Sequence, residues 1–168
     1  YINMSETHSL LEQLEKLLSW KRSKKFYAEK LGITEYEVEE LMKELKQRGI
    51  YIGIGSNMTS DVQYRKILKL GLGKYIDGIV TSEEAGEEKP HRKLFDLCVE
   101  KAGVMVEESI FIGDSIAHDV TGAQNIGMPV ILYRPKENVN EIEWLQTEKG
   151  KCPVIAHFSQ FFEAEKML

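Results

Sequence analysis

The run Ile110-Phe-Ile-Gly-Asp114-Ser-Ile-Ala-His-Asp119 places two carboxylates five residues apart, where an apolar stretch gives way to a polar loop. At the carboxyl end of a strand, Asp114 and Asp119 could hold a hard cation through oxygen ligands. Equally, Asp114 could turn the chain while Asp119 caps or pairs locally. A second group lies upstream in Ile52-Gly-Ile-Gly-Ser56-Asn57, with Asp61 near the next helix start. A hydroxyl beside backbone N–H groups at a helix amino end suits a phosphate, and an ordinary helix cap explains the same residues. The third group is Glu87-Glu-Lys89-Pro90, in which a lysine fixed beside a proline could neutralise a phosphate's charge or simply be solvated.

These groups need elements to position them. After Gly49, short apolar runs alternate with amphipathic ones. Residues Ile50–Gly55, Ile76–Thr81, Ser109–Gly113, Pro129–Tyr133 and Val154–Ala156 read as strands; Asp61–Leu70, Lys93–Ala102, Ala117–Ile126 and Glu141–Gln146 read as helices. That alternation argues a doubly wound parallel sheet with helices on both faces. Such sheets bind ligands beyond the carboxyl ends of their strands, where all three groups fall. Residues 1–48 follow a different pattern, helical throughout. Leu10, Leu11, Leu14, Leu17 and Leu18 form one apolar stripe, with Ser5 and Thr7 placed to cap it. A second helix covers Lys24–Leu31 and stops at Gly32. Thr34 caps a third, with Glu37 completing a capping box and Val38, Leu41, Met42 and Leu45 as its buried side. The chain thus divides into a helical segment, 1–48, and an α/β core, 49–168.

Composition narrows the function classes. The 168 residues carry a net charge of −5, 42% hydrophobic and 29% charged residues, as in a soluble globular domain. No apolar run approaches the ~18 residues that span a bilayer, so no membrane association is expected. The acidic balance lacks the basic footprint of broad phosphate-backbone binding, so charge gives nucleic acid no help. Cys98 and Cys152 show no metal-ligand spacing, and a reduced, cytoplasmic setting with two structural thiols is the default. The first residue is Tyr1 rather than Met, which suggests a processed, trimmed or excised chain, with Met4 an alternative start.

Taken in order, the three groups resemble the haloacid dehalogenase superfamily over residues ~45–135. Gly53–Gly55 with Ser56-Asn57 is similar to its second motif, Lys89-Pro90 to its third, and Gly113-Asp114 with Asp119 to its fourth. Asp77–Gly86 and Gly122–Met128 also look like the family. The resemblance implies magnesium-dependent hydrolysis of a small phosphorylated metabolite through an aspartyl-phosphate. Ser56 and Lys89 would be catalytic, Ser56, Asn57 and Lys89 would contact substrate, and Asp114 and Asp119 would serve the magnesium. Oligomeric state is left open.

One departure is large. Family enzymes attack phosphorus with the first aspartate of an Asp-x-Asp motif, which ends an amino-terminal strand. The aspartates here are Asp61, Asp77, Asp96, Asp114 and Asp119, and no two have that spacing. Glu35/Glu37 and Glu37/Glu39 have it but fall in the helical segment, and a nucleophile must be aimed in line at phosphorus. The expectation is a chain inactive as it stands. The gap is also structural, because in the family that strand lies mid-sheet, between those ending at Ser56 and Asp114. Unmatched buried backbone groups cost roughly 1–3 kcal/mol each. Either the sheet closes up, another segment fills the slot, or an upstream piece is missing.

Residues 1–48 allow several readings. Ala28-Glu-Lys-Leu31-Gly32-Ile33-Thr34 with Val38 and Leu41 resembles a helix-turn-helix, the mark of a non-catalytic regulatory or binding protein. Glu35, Glu37, Glu39 and Glu40 on its third helix would repel a phosphate backbone. The segment's place before the second motif also fits a small cap over the site, or an unrelated helical module fused to the core.

Overall fold

The structure, a computed structural model, describes residues 35–135 and 141–168. The helices expected between Ser5 and Leu31 and the turn at Gly32 lie outside them, as does most of the helix-turn-helix resemblance. What is described is an α/β fold with parallel strands and helices on both sides, as the alternation of apolar and amphipathic runs implies.

The chain runs through α1 (Glu35–Gln47), β1 (Gly53–Ser56), α2 (Ser60–Leu70), β2 (Gly78–Thr81), the single turn α3 (Ser82–Ala85), α4 (Arg92–Ala102), β3 (Phe111–Gly113), α5 (Thr121–Asn125), β4 (Val130–Tyr133), β5 (Glu143–Thr147), β6 (Gly150–Ile155) and α6 (Phe161–Glu165). The stretch expected as one helix from Ala117 begins as a π-helical turn, Ile116–Val120, and only then becomes α5. Glu141–Gln146, expected as a helix, is instead largely β5. Six residues are too few to sustain a helix alone, and the hairpin pairing with β6 decides the outcome. Thr147 pairs with Gly150 across a two-residue turn, and Thr147 Oγ1 bonds the Gly150 carbonyl at 2.9 Å.

Two apolar clusters lie on opposite faces of β4, as alternation along a strand requires. Val130 and Leu132 join Phe95, Val120, Ala123 and Cys152 on the side of α4 and α5. Ile131 and Tyr133 join Ile155, Phe161, Ala164 and Leu41 on the other. Helix α1 contributes Leu41 and Leu45 to that second cluster, so its apolar stripe is one layer of the core.

The strands fall into two sheets, β1–β2 and β3–β4–β6–β5. β1 runs parallel to β2, and β3 to β4. Closure of the sheet by direct β1–β3 pairing does not occur, and among the described residues no strand lies between them. Yet the two edges are neighbours. A Cβ at Gly55 would lie 3.1 Å from Leu94 Cδ2, 3.2 Å from Cys98 Sγ and 3.3 Å from Phe111 Cε2. The Phe111 ring of β3 thus reaches to β1, on the α4 side. Partners also alternate along a parallel strand. The Phe111 N–H bonds the Pro129 carbonyl on the β4 side, and Asp77 N–H bonds the Ile52 carbonyl. The peptide groups of Ile112 and Gly55 are therefore turned the other way, toward the slot.

Helix α1 is fastened to the β1–β2 side by Lys46, whose Nζ reaches both Asp77 carboxylate oxygens at 2.7 Å. The Ile52 N–H donates to the same carboxylate at 2.8 Å. Lys46 first, then this N–H, holds the Asp77 carboxyl below its usual range. Because the folded carboxyl titrates below its unfolded value of 3.8, its stabilisation is complete above that value and is lost as pH falls through the folded one. Asp77→Asn should therefore lower the urea midpoint at pH 7 and change it much less at pH 2, measured by circular dichroism. Equal losses at both would contradict this account.

Candidate active site

At the carboxyl ends of β1 and β3 the chain gathers three segments around the open slot. Ser56 ends β1 and Asn57 follows it, both half-buried. Lys89 arrives on the loop between α3 and α4, and its peptide bond to Pro90 is cis. Asp114 follows β3 directly and is exposed, while Asp119 lies in the π-helical turn and is only 3% exposed.

The centre of the cluster is the Lys89 ammonium. Its Nζ donates to Asp119 Oδ1 at 2.7 Å and to the Gly55 carbonyl at 3.0 Å, and sits 5.2 Å from the Phe111 ring centre. The lysine side chain is 12% exposed, so water screens this pair far less than it would a surface pair. Asp119's other oxygen, Oδ2, accepts the Ser115 N–H at 3.0 Å. The glycine at 113 makes room for this carboxylate, since a Cβ there would lie 2.3 Å from Asp119 Cγ. Both oxygens of Asp119 are thus committed within the chain.

The other expected residues have different surroundings. Ser56 Oγ accepts the Met58 N–H at 3.2 Å and lies 3.4 Å from Gln63 Oε1, a contact too long to bind strongly. The start of α2 is not an open anion site, because the Ser60 N–H already bonds Glu83 Oε2 at 3.1 Å. Asn57 spends its amide on the Lys89 peptide, described below. Asp61 pairs with Arg65 on the surface of α2. Asp114 makes no hydrogen bond or ion pair among the described residues, which leaves an exposed carboxylate at the strand end. There, too, no three His, Cys, Asp or Glu side chains gather as a metal cluster.

Sequence reasoning named Ser56, Asn57, Lys89, Asp114 and Asp119, and the structure brings all five to this end of the sheets. It did not single out His118, although the residue stands in the same motif between Asp114 and Asp119. His118 Nδ1 lies 2.9 Å from the Lys89 carbonyl. Of the two thiols, Cys98 packs behind Gly55 and Cys152 lies in the core. Burial pushes Cys98 up to about 11 and raises Cys152 as well, which keeps both protonated near neutral pH.

A doubly wound α/β fold with a lysine and two carboxylates beyond the carboxyl ends of its strands places its charged cluster where such sheets bind ligands. Residues 3–133 match the haloacid dehalogenase-like hydrolases, and the chain belongs to that family. It is 32% identical over 117 residues to the ribulose-1,5-bisphosphate 5-phosphatase of Halopiger xanaduensis, covering 70% of this chain and 48% of that one. It is 32% identical over 120 residues to the glyceraldehyde 3-phosphate phosphatase of Methanothermobacter thermautotrophicus, covering 71% and 53%. The chain therefore spans about half the length of the curated relatives it matches. Among solved structures, the fold resembles a magnesium-bound HAD-hydrolase, YfnB from Bacillus subtilis, with a TM-score of 0.61, 23% identity, and coverage of 74% of this chain and 52% of that one. No helix among the described residues is long and apolar enough to cross a membrane.

Asp119→Asn should leave the enclosed Lys89 ammonium without its counter-charge and cost about 3–5 kcal/mol in urea denaturation. Asp114→Asn, at an exposed and unpaired position, should change stability by no more than about 0.5 kcal/mol. Comparable losses for the two would contradict the division of labour between them.

Proposed function

We propose that this chain supplies the phosphate- and metal-facing part of a phosphomonoester hydrolase, and that the attacking carboxylate comes from a strand seated between β1 and β3. The observation that carries the reading is the position of Lys89. An ammonium held by Gly55 at one edge of the slot and by Asp119 beyond the other stands at the slot's mouth. A phosphoryl group bound there would meet fixed positive charge that needs no reorganisation as negative charge develops. Ser56 Oγ lies at the end of the neighbouring strand, where a small rotation away from Gln63 frees its proton for a phosphoryl oxygen. The relatives named for ribulose bisphosphate and glyceraldehyde 3-phosphate support a small phosphorylated metabolite as the substrate class.

The donor set fits magnesium in part. Magnesium binds through one or two carboxylates and completes its shell with water and substrate phosphate. Asp114 offers such a carboxylate, whereas Asp119 has both oxygens engaged and acts through Lys89. When bound, the ion would neutralise phosphoryl oxygens and so assist attack at phosphorus. A further carboxylate would have to come from the strand in the slot. The same strand would supply the nucleophile, because no carboxylate of the described residues ends a strand between Ser56 and Asp114.

On this reading the purified 168-residue chain does not turn over p-nitrophenyl phosphate with magnesium, and gains magnesium-dependent turnover when a strand ending in Asp-x-Asp is fused ahead of it. The gain should disappear in Asp114→Ala. Magnesium-dependent turnover by the unfused chain, abolished by Asp114→Ala, would overturn it.

A further inference from the structure

We infer that Asn57 and His118 are positioning residues that grip the Lys89 peptide from the two sides of the slot and so fix where its ammonium stands. Only the functional meaning of that ammonium rests on the reading above; the clamp stands on its own geometry. Asn57 Oδ1 accepts the Lys89 N–H at 2.7 Å, and Asn57 Nδ2 donates to the Lys89 carbonyl at 3.2 Å. One side-chain amide thus satisfies both polar groups of one residue's backbone, on a loop 32 residues away. This paired bonding also sets which end of the amide is oxygen, since only oxygen can accept from an N–H.

The same Lys89 carbonyl lies 2.9 Å from His118 Nδ1. A carbonyl only accepts, so Nδ1 carries the hydrogen, and the neutral ring must be the Nδ1–H tautomer with its Nε2 lone pair directed elsewhere. The main chain beneath the imidazole is held as well, because the backbone N–H of His118 donates to Ser115 Oγ at 3.2 Å.

Lys89 is therefore held by four residues, two from each side. The β1 end binds its backbone through Asn57 and its ammonium through the Gly55 carbonyl. The turn after β3 binds its backbone through His118 and its ammonium through Asp119. A lysine stem is flexible, and a charge at its tip is placed well only if the main chain beneath it is also placed. Asn57 and His118 do this, and the Asn57 amide, already occupied twice, is turned to Lys89 rather than toward a ligand. Sequence reasoning had Asn57 as a substrate contact; the geometry assigns it to Lys89.

The test needs neither turnover nor phosphate, so its failure is distinct from a failure of the proposed function. Long-range ¹H–¹⁵N NMR on histidine-labelled chain, assigned by its loss in His118→Gln, should show neutral His118 as the Nδ1–H tautomer. An Nε2–H tautomer would overturn the His118 half. Reductive methylation read by mass spectrometry should find Lys89 slow, and Asn57→Ala should speed it about thirtyfold relative to the other lysines, the factor expected for two lost hydrogen bonds. A general loosening would speed all lysines together. Where Asn57→Ala fails to fold, Asn57→Asp serves, because it keeps the acceptor for the Lys89 N–H and loses the donor to its carbonyl. An unchanged relative rate at Lys89 in a folded variant would overturn the Asn57 half.

Discussion

A parallel strand has two edges, and each backbone N–H and C=O along them must find a partner when water is kept away. That constraint organises this protein. β1 is satisfied by β2 on one side and β3 by β4 on the other, while their remaining edges face a common slot. The elements around it are arranged as though across a strand. Leu94 and Cys98 of α4, with the Phe111 ring, lie against Gly55 on one face. On the other, α1 joins the β3–β4–β6 layer through Leu41 and the β1–β2 layer through Lys46 and Asp77. One of the slot's carbonyls, that of Gly55, is capped by the Lys89 ammonium.

The placing of charge at the strand ends follows from the same arrangement. An enclosed cation is tolerated only with compensation, and Asp119 provides it. Asp114, one residue past β3, is left exposed. The two carboxylates of a single motif thereby take different roles through their environments alone, one balancing charge inside the chain and the other facing outward. The family relationship gives these positions a chemical context.

Much of this was legible in the sequence. The strands ending at Ser56, Thr81, Gly113 and Tyr133 show as short apolar runs, because buried parallel strands carry apolar residues on both faces. Ser56 and Asp114 could be read from strand ends, since α/β sheets bring those ends together, whereas Lys89 and Asp119 were legible through the order of motifs that resembles the family. Three features could not be read. β5 looked helical because its pairing depends on Gly150 and on β6, partners beyond the local window. Spacing cannot reveal that Lys89, 30 residues earlier, pairs with Asp119. Asn57 and His118 are bound to a backbone, and backbone partners leave no trace in residue identity.

The account rests most directly on the slot between β1 and β3, and amide hydrogen exchange reads it residue by residue. In the 168-residue chain, the Gly55 and Ile112 amides, turned toward the slot, should exchange far faster than the Ile54 and Phe111 amides turned toward β2 and β4. Fusing a strand ending in Asp-x-Asp ahead of the chain should slow those two selectively. Gly55 and Ile112 amides already as slow as their neighbours in the unfused chain would mean that the edges are satisfied, and would contradict the central claim.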